Sequence, residues 1–362
     1  MANALLITGR TEEVGKTPIA LSLALKFKEE GLNVGYFKPI GWKIKTKDIM
    51  DRDVKIAKSI LKMEEDESLI SPILADRLYW SAEFVKGDVI EEEKSLMGRI
   101  ADAYEELSKN YDFLVIEGCR TMAFFEFIGL SAPQLSVALK APILLVNNDR
   151  LTTVDELIQD ARYCAGVHGA QVLGAIINNV IRETIERAKE FMIPLLEANN
   201  VHVYGILPEK LELKALIVKE ILEDLEGEVL AGEENLNNII ENILIGAMGP
   251  EAALKHFRRA VRKAVVTGGD RADMAVSALE TDTSCLILTG NLFPPAQVLS
   301  LADEKNIPVI LVPYDTYTTV EKLNKSKMHG HLRPEKIETW KKLIEENINW
   351  KEILEATKKS KR

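Results

Sequence analysis

Cysteine and long hydrophobic runs are scarce in this sequence. Its 362 residues include three cysteines, Cys119, Cys164 and Cys285, which lie far apart and are odd in number. They form neither a disulfide framework nor a zinc-binding pattern, so we expect a cytoplasmic protein. No apolar run reaches the about 18 residues that a membrane-spanning helix requires. The N-terminal "MANALLITG" also lacks the charged leader of a signal peptide, and we expect no membrane partner.

Positive charge is also in short supply. The chain has 46 lysines and arginines against 56 aspartates and glutamates, which gives a formal net charge of −10 at pH 7. A protein that binds a phosphate backbone needs a basic face, so this balance argues against nucleic acid as a general partner.

The chain does contain two successive α/β patterns. Up to residue 210, continuous apolar runs such as "DFLVIEG" and "APILLVNN" alternate with amphipathic segments such as "KTPIALSLALKFKEEG". Buried strands between amphipathic helices indicate a parallel sheet that is covered on both faces. A glutamate-rich stretch indicates an interdomain connection at residues 211–225. A second, smaller α/β domain is predicted within 211–325.

Residues 326–362 are predicted to form a helical tail. Within it, His329 and His331 have the spacing of metal ligands but no third ligand nearby, and we interpret them as linker residues. An apolar stripe along the tail indicates either packing within the chain or a contact between copies in a homo-oligomer, dimer or larger. Its members are Trp340, Leu343, Ile344 and Leu354.

The stretch "TGRTEEVGKTPIA" (residues 8–20) is typical of a phosphate-binding loop. Gly15, Lys16 and Thr17 follow a predicted strand and open a predicted helix. In that context backbone N–H groups face an anion, the lysine reaches the β- and γ-phosphates, and the threonine binds Mg²⁺. The generic spacing would place the first glycine at residue 10, but the glycine here is Gly9. The alternative is an ordinary strand-to-helix turn with an incidental lysine.

The same one-residue offset occurs in dethiobiotin synthetase, whose loop T-G-T-D-T-E-V-G-K-T this stretch resembles. The resemblance implies ATP and Mg²⁺ as cofactors and Glu13 as an accessory residue near the metal. Arg10 and Glu12 depart from the family's threonines. The implied nucleotide-binding loop residues are Thr11, Glu12, Glu13, Val14, Gly15, Lys16, Thr17 and Pro18.

Lys38 is the candidate catalytic partner of Lys16. It follows the strand of "GYFKPIG", at the edge where open α/β sheets bind ligands. The matching lysine of dethiobiotin synthetase binds substrate and the transferring phosphate, which implies the same role here. The alternative is a surface lysine before a proline turn.

Thr17, Asp53 and Glu117 form the candidate metal site. Asp53, in preference to Asp51, matches an aspartate that related families carry at a helix start; the alternative is a helix cap. Glu117 ends a buried strand, where a carboxylate is costly unless it faces a metal or a crevice. The resemblance implies a metal ligand, and the alternative is a salt bridge at the rim.

Two further stretches resemble the family's base pocket. "GAIINNV" implies that Asn178 reads the adenine edge, and "GILPE" implies that Pro208, with Glu209 as a further candidate, closes the pocket. The alternative is an ordinary turn residue.

The resemblance to dethiobiotin synthetase does not extend to the residues around its substrate. The family has small residues where this chain has Gly41, Trp42 and Lys43, and glycines where it has "EGCRTMAFFEF". Arg120, Phe124 and Phe125 are predicted to fill the substrate space. We therefore do not expect carboxylation of diaminononanoate.

A second resemblance accounts for these departures. "GYFKPIG", "TGGDRADM", "LILTG" and "PVILVPYDTYTT" resemble the N-terminal, non-catalytic part of long bacterial phosphotransacetylases, where a dethiobiotin synthetase-like domain precedes a DRTGG domain. The motifs end parallel strands, so we expect them to converge on a second ligand site. Its candidates are Asp270, Arg271, Thr289 and Asp315. The alternative is that they are turn and cap residues.

Three functions follow as hypotheses. The first is a regulatory Mg-ATP-binding protein that responds to an unknown small-molecule effector. The second is an ATP-dependent carboxylate-activating ligase of the dethiobiotin or cobyrinic acid a,c-diamide synthase type, with an unknown substrate. The third is a scaffold with an empty loop. The resemblance to phosphotransacetylase stops near residue 325, before its catalytic domain, so we do not expect acetyl transfer.

Overall fold

The computed structural model describes residues 2–42, 51–75, 89–329 and 332–359. Lys43 and His331, which were named in the sequence analysis, lie outside these ranges. The chain forms two compact units: one contains residues 1–209 and 332–362, and the other contains residues 210–331. The second unit is therefore inserted, in sequence, into the first.

The first unit is built on parallel strands that alternate with helices. Its N-terminal part contains β1 (Asn3–Thr8), α1 (Lys16–Glu29), β2 (Val34–Phe37), β3 (Ile40–Trp42), α2 (Arg52–Leu61), α3 (Glu67–Ile70), β4 (Ile73–Ala75), α4 (Val89–Asn110), β5 (Phe113–Glu117), α5 (Ala132–Leu139), β6 (Ile143–Asn148), α6 (Thr153–Arg162), β7 (Val172–Val180), α7 (Ile185–Glu197) and β8 (Val203–Pro208).

The main sheet of this unit is parallel, with strand order β2-β5-β1-β6-β7-β8, which confirms the predicted fold class. Every residue of β5 is buried, as expected for a strand that is covered on both faces. In the parallel register Ile7 lies beside Glu117, and Phe37 lies beside Ile116. The residues that follow β1, β2 and β5 therefore meet at one edge of the sheet.

The second unit is a smaller α/β structure. It contains α8 (Leu211–Lys214), β9 (Leu216–Ile217), α9 (Val218–Asp224), β10 (Glu228–Ala231), β11 (Ile239–Ile240), β12 (Asn242–Ile245), α10 (Pro250–Phe257), β13 (Lys263–Gly268), α11 (Ala272–Leu279), β14 (Thr283–Thr289), α12 (Ala296–Lys305), β15 (Val309–Leu311) and α13 (Thr316–His329). Strands β12 to β15 are parallel, and β10 is an antiparallel edge strand beside β15.

Residues 211–225, which their composition indicated as a connection, are folded. They form α8, β9 and α9, and Leu216, Val218 and Ile221 belong to the core of the second unit. Glu212 and Glu223 of this segment are exposed, whereas Glu220 is buried and accepts from the backbone N–H of Ile217 at 2.9 Å.

The C-terminal segment returns to the first unit as α14 (Pro334–Asn347) and α15 (Trp350–Lys359). Helix α14 packs on α1 and β8, and the backbone N–H of Asn349 donates to the carbonyl of Tyr204 at 2.8 Å. The predicted apolar stripe is buried in this packing, with Leu343 1% and Ile344 0% exposed. The apolar stripe therefore packs against other elements of the first unit.

None of the helices in the described ranges is long and apolar enough to cross a membrane.

Replacing Leu343 with alanine should destabilise the first unit. Removing a buried leucine side chain and leaving a cavity costs about 2–5 kcal/mol. We expect a corresponding loss of unfolding free energy in urea denaturation followed by circular dichroism. Lys342→Ala is the control, because its side chain is 70% exposed. Equal denaturation midpoints for the two variants would show that α14 does not support this unit.

Candidate functional site

The loop between β1 and α1 has the backbone of a phosphate-binding loop. Gly15 adopts a left-handed conformation with φ of 88° and forms the N-cap of α1. A Cβ atom at this position would lie only 2.5 Å from Nδ2 of Asn178. Glycine is therefore required here both by the backbone and by the space that Asn178 leaves.

The Lys16 ammonium is turned into this loop. Its Nζ donates to the carbonyl oxygens of Thr11 at 3.0 Å, Glu12 at 3.2 Å and Arg120 at 2.7 Å. Burial lowers the pKa of Lys16 to about 8. Three backbone carbonyls thus hold the ammonium near the N-terminus of α1, where an anion would be stabilised.

The candidate metal residues Thr17, Asp53 and Glu117 lie together. The Thr17 hydroxyl is 2.8 Å from Oε1 of Glu117 and 3.3 Å from Oδ2 of Asp53. Glu117 is 2% exposed, whereas 33% of the Asp53 side chain is accessible, so the cluster opens on the Asp53 side. Within the described residues, no group of three or more His, Cys, Asp and Glu side chains is arranged for a metal.

Lys38 lies at the centre of this cluster. Its Nζ is 2.6 Å from Asp53, 3.1 Å from Asp51 and 3.5 Å from Glu117. It is 7% exposed, so the alternative of a surface lysine is wrong. Although burial opposes its charge, the three carboxylates hold the pKa of Lys38 well above its usual value. Burial raises the pKa of Glu117.

Asp51 and Asp53 have different roles. The carboxylate of Asp51 accepts from the backbone N–H of Asp53 at 2.8 Å and so caps α2, and it also accepts from the N–H of Trp42 at 2.7 Å. The cap that was the alternative for Asp53 therefore belongs to Asp51. Asp53 is left to face Thr17 and Lys38.

Sequence reasoning missed Tyr36. Its hydroxyl, on the buried strand β2, donates to Oε2 of Glu117 at 2.6 Å, while Oε1 of the same carboxylate faces Thr17. Burial and the nearby Glu117 raise the pKa of Tyr36, which keeps the hydroxyl protonated as a donor. The only signal in the sequence was a polar aromatic residue two positions before Lys38, a place that suits ordinary core packing equally well.

The two residues expected at the base lie near the ends of β7 and β8. Asn178 is 1% exposed and donates through Nδ2 to the carbonyl of Val14 at 2.9 Å, so it supports the loop itself. Pro208 ends β8 and pairs with Val180 of β7. The backbone carbonyl of Glu13 accepts from Asn148 at 3.0 Å.

The residues predicted to fill the substrate space contact one another through Trp42 and the Phe124–Phe125 ring pair. The Arg120 guanidinium makes a bidentate ion pair with Glu12, with both distances 2.6 Å, and lies over the ring of Trp42 at 4.3 Å. The Phe124 ring packs edge-on against Trp42, with ring centroids 6.0 Å apart, and Phe125 is buried.

In the second unit, the four candidate residues lie at the C-terminal edge of the parallel strands. Thr289 is buried, with its hydroxyl 2.9 Å from that of Thr316. Arg271 pairs with Asp273 at 3.1 Å, and Asp270 is exposed. The carboxylate of Asp315 accepts from the N–H of Thr318 at 3.0 Å, a local capping contact at the start of α13.

Comparison with known proteins assigns both units. A family model described as an AAA domain matches residues 3–216, more than half of the chain. The chain belongs to this AAA-domain family. A model of the DRTGG domain matches residues 220–326. The pair of a dethiobiotin synthetase-like AAA domain and a DRTGG domain, predicted from the motifs, is therefore confirmed.

Individual relatives agree with this assignment. The phosphate acetyltransferase of Nitratidesulfovibrio vulgaris is 28% identical over 378 aligned positions, which cover 98% of this chain and 51% of that protein. This AAA-domain protein thus spans about half the length of that enzyme. The ATP-dependent dethiobiotin synthetase of Bacillus cereus is 30% identical, over 56% of this chain and 81% of that protein.

Among solved structures, the septum site-determining protein MinD complexed with Mg-ADP, from Pyrococcus horikoshii, is 16% identical over 59% of this chain and 84% of its own, with a TM-score of 0.36.

Tyr36→Phe should destabilise the AAA domain. The change leaves a buried oxygen of Glu117 without its hydroxyl donor, and such an unsatisfied group costs about 1–3 kcal/mol. Urea denaturation should show this loss. Tyr104→Phe is the control, since it removes the hydroxyl of another buried tyrosine in the same unit. The prediction is wrong if Tyr36→Phe is no less stable than the control.

Proposed function

We propose that this protein binds Mg-ATP at the Gly15–Lys16–Thr17 loop and that it is a regulatory protein. The observation that carries the proposal is the convergence of Thr17, Asp53, Glu117 and Lys38 beside that loop. A phosphate loop without that cluster would support anion binding alone.

Thr17, Asp53 and Glu117 offer one hydroxyl and two carboxylates to a magnesium ion. The Lys38 ammonium lies among these carboxylates and that of Asp51, and Lys16 and Arg52 add positive charge near Glu117 and Asp53. Mg²⁺ binds through one or two carboxylates together with phosphates, and a loop threonine is a further ligand. Thr17, Asp53 and Glu117 would hold it, and the ion would neutralise phosphate charge.

The remaining polar residues would position the nucleotide. Lys16 would exchange its backbone carbonyl partners for the β- and γ-phosphates, and Lys38 would lie beside the terminal phosphate. Pro208 would border the base, whereas Asn178, whose amide is engaged with the carbonyl of Val14 and the N–H of Asn179, would support the loop. These roles rest on the residues' placement around Gly15.

The contacts of Arg120 argue against a ligase. Activation of a carboxylate as an acyl phosphate requires a second pocket beside Lys38 and a cation for the carboxylate. Arg120 was the candidate cation, and it is already paired with Glu12 and stacked on Trp42. The dethiobiotin synthetase-like half therefore supports nucleotide binding more than ligation.

A regulatory role agrees with the presence of the DRTGG domain and with the similarity to phosphate acetyltransferase. We propose that the edge formed by Asp270, Arg271, Thr289 and Asp315 binds a small-molecule effector. A cytoplasmic location and a homo-oligomeric state remain predictions from the sequence.

Binding and turnover of Mg-ATP test this function together. We expect the purified full chain to bind ATP in a Mg²⁺-dependent manner in calorimetry, with little ADP release. Lys16→Ala should weaken binding about tenfold or more, since a charge-assisted phosphate contact is lost. Lys189→Ala, on exposed α7, is the control.

Two other outcomes would change the assignment. ADP release that rises with one particular added carboxylate would favour the ligase. Identical behaviour of the wild-type protein and Lys16→Ala would contradict nucleotide binding at this loop and favour a scaffold.

A further inference from the structure

The ion pair between Glu12 and Arg120 joins two loops that both face the phosphate position. Glu12 belongs to the phosphate loop, and Arg120 follows Glu117 in the segment after β5. Nε and Nη2 of Arg120 each lie 2.6 Å from one oxygen of Glu12. About a third of each side chain is exposed, 32% for Arg120 and 34% for Glu12. The pair is therefore geometrically ideal but reachable from solvent.

The segment that carries Arg120 is held alongside the phosphate loop. The backbone N–H of Gly118 donates to the carbonyl of Ile7 at 2.9 Å, and that of Met122 donates to Gly9 at 2.9 Å. These bonds place Arg120 opposite the start of the loop. The Arg120 guanidinium lies over the indole of Trp42 in a cation–π contact.

Lys16 connects both members of the pair. Its ammonium donates to the backbone carbonyl of Glu12 and to that of Arg120. When the lysine of a phosphate loop binds phosphate, it points to the β- and γ-phosphates. Entry of a nucleotide would therefore withdraw Lys16 from the two residues whose side chains form the ion pair.

We propose that Arg120 exchanges Glu12 for the terminal phosphate of a nucleoside triphosphate, and so determines how many phosphates the loop prefers. This inference rests on the proposed function. The guanidinium fork matches a phosphate as well as a carboxylate, and a terminal phosphate carries more charge. A diphosphate lacks that group, so with ADP Arg120 keeps its partner Glu12. With ATP it leaves Glu12, and its contact with Trp42 changes.

Affinities of the full chain for Mg-ATP and Mg-ADP, measured by calorimetry, test the exchange. We expect the wild-type protein to prefer ATP about tenfold, which corresponds to one charge-assisted contact. Arg120→Gln should lose about tenfold in ATP affinity while ADP affinity stays within about twofold. The control is Arg162→Gln, an exposed arginine of the same unit that contacts Asn199, for which the ATP-to-ADP ratio should not change.

The variant Glu12→Gln distinguishes an exchange of the Arg120 partner from a loss of structure in the loop. Weakening the partner should make Arg120 easier to recruit, so ATP affinity should rise while ADP affinity changes little. Trp42 supplies a second measurement. Trp340, near Gly15, should respond to either nucleotide, so the change in tryptophan emission should be larger with ATP than with ADP, and this difference should be absent in Arg120→Gln and in Trp42→Phe.

The outcomes distinguish the inference from the proposed function. If Arg120→Gln keeps the wild-type ratio of ATP to ADP affinity, or if Glu12→Gln weakens ATP binding, the exchange is wrong while nucleotide binding stands. If the wild-type protein binds neither nucleotide, both the proposed function and the exchange are overturned.

Discussion

The buried contact between Lys38 and its carboxylates constrains the edge of the first sheet. Lys38 follows β2, Glu117 ends β5, and Asp51 and Asp53 begin α2, so one ammonium holds three separate segments together. Buried charges are tolerated only when they are paired and hydrogen-bonded. The hydroxyls of Tyr36 and Thr17 complete that pairing at Glu117. The position of the phosphate loop relative to the carboxylates depends on this network.

The C-terminal segment supports the same edge from another side. Helix α14 packs on α1, and its Trp340 reaches Gly15, with a ring carbon 3.8 Å from the position that a Cβ would take. The DRTGG domain lies in sequence between β8 and this helix. The first unit therefore contains residues from both sides of the DRTGG domain in the sequence.

Much of the fold and part of the site were predictable from local signals. Continuous apolar runs marked β1, β5 and β6, and the glycine, lysine and threonine of the loop marked the start of α1. The folded segment at 211–225 was not recognised, because its high glutamate content indicated a connection and obscured the spacing of its buried residues. Tyr36 was missed for a related reason: only the parallel register of β2 and β5 brings its hydroxyl to Glu117.

The sequence by itself determined the type of loop, the order of strands and helices, and the pairing of a dethiobiotin synthetase-like domain with a DRTGG domain, because these depend on residues close together in the chain. Only the tertiary structure decided which side chains surround the loop. Glu12 and Arg120 are 108 positions apart. Asp51 both caps α2 and contacts Lys38, while Asp53 contacts Lys38 and Thr17, and these contacts form only once α2 is in place. Local patterns specify elements, but contacts between distant residues are specified by how the elements pack.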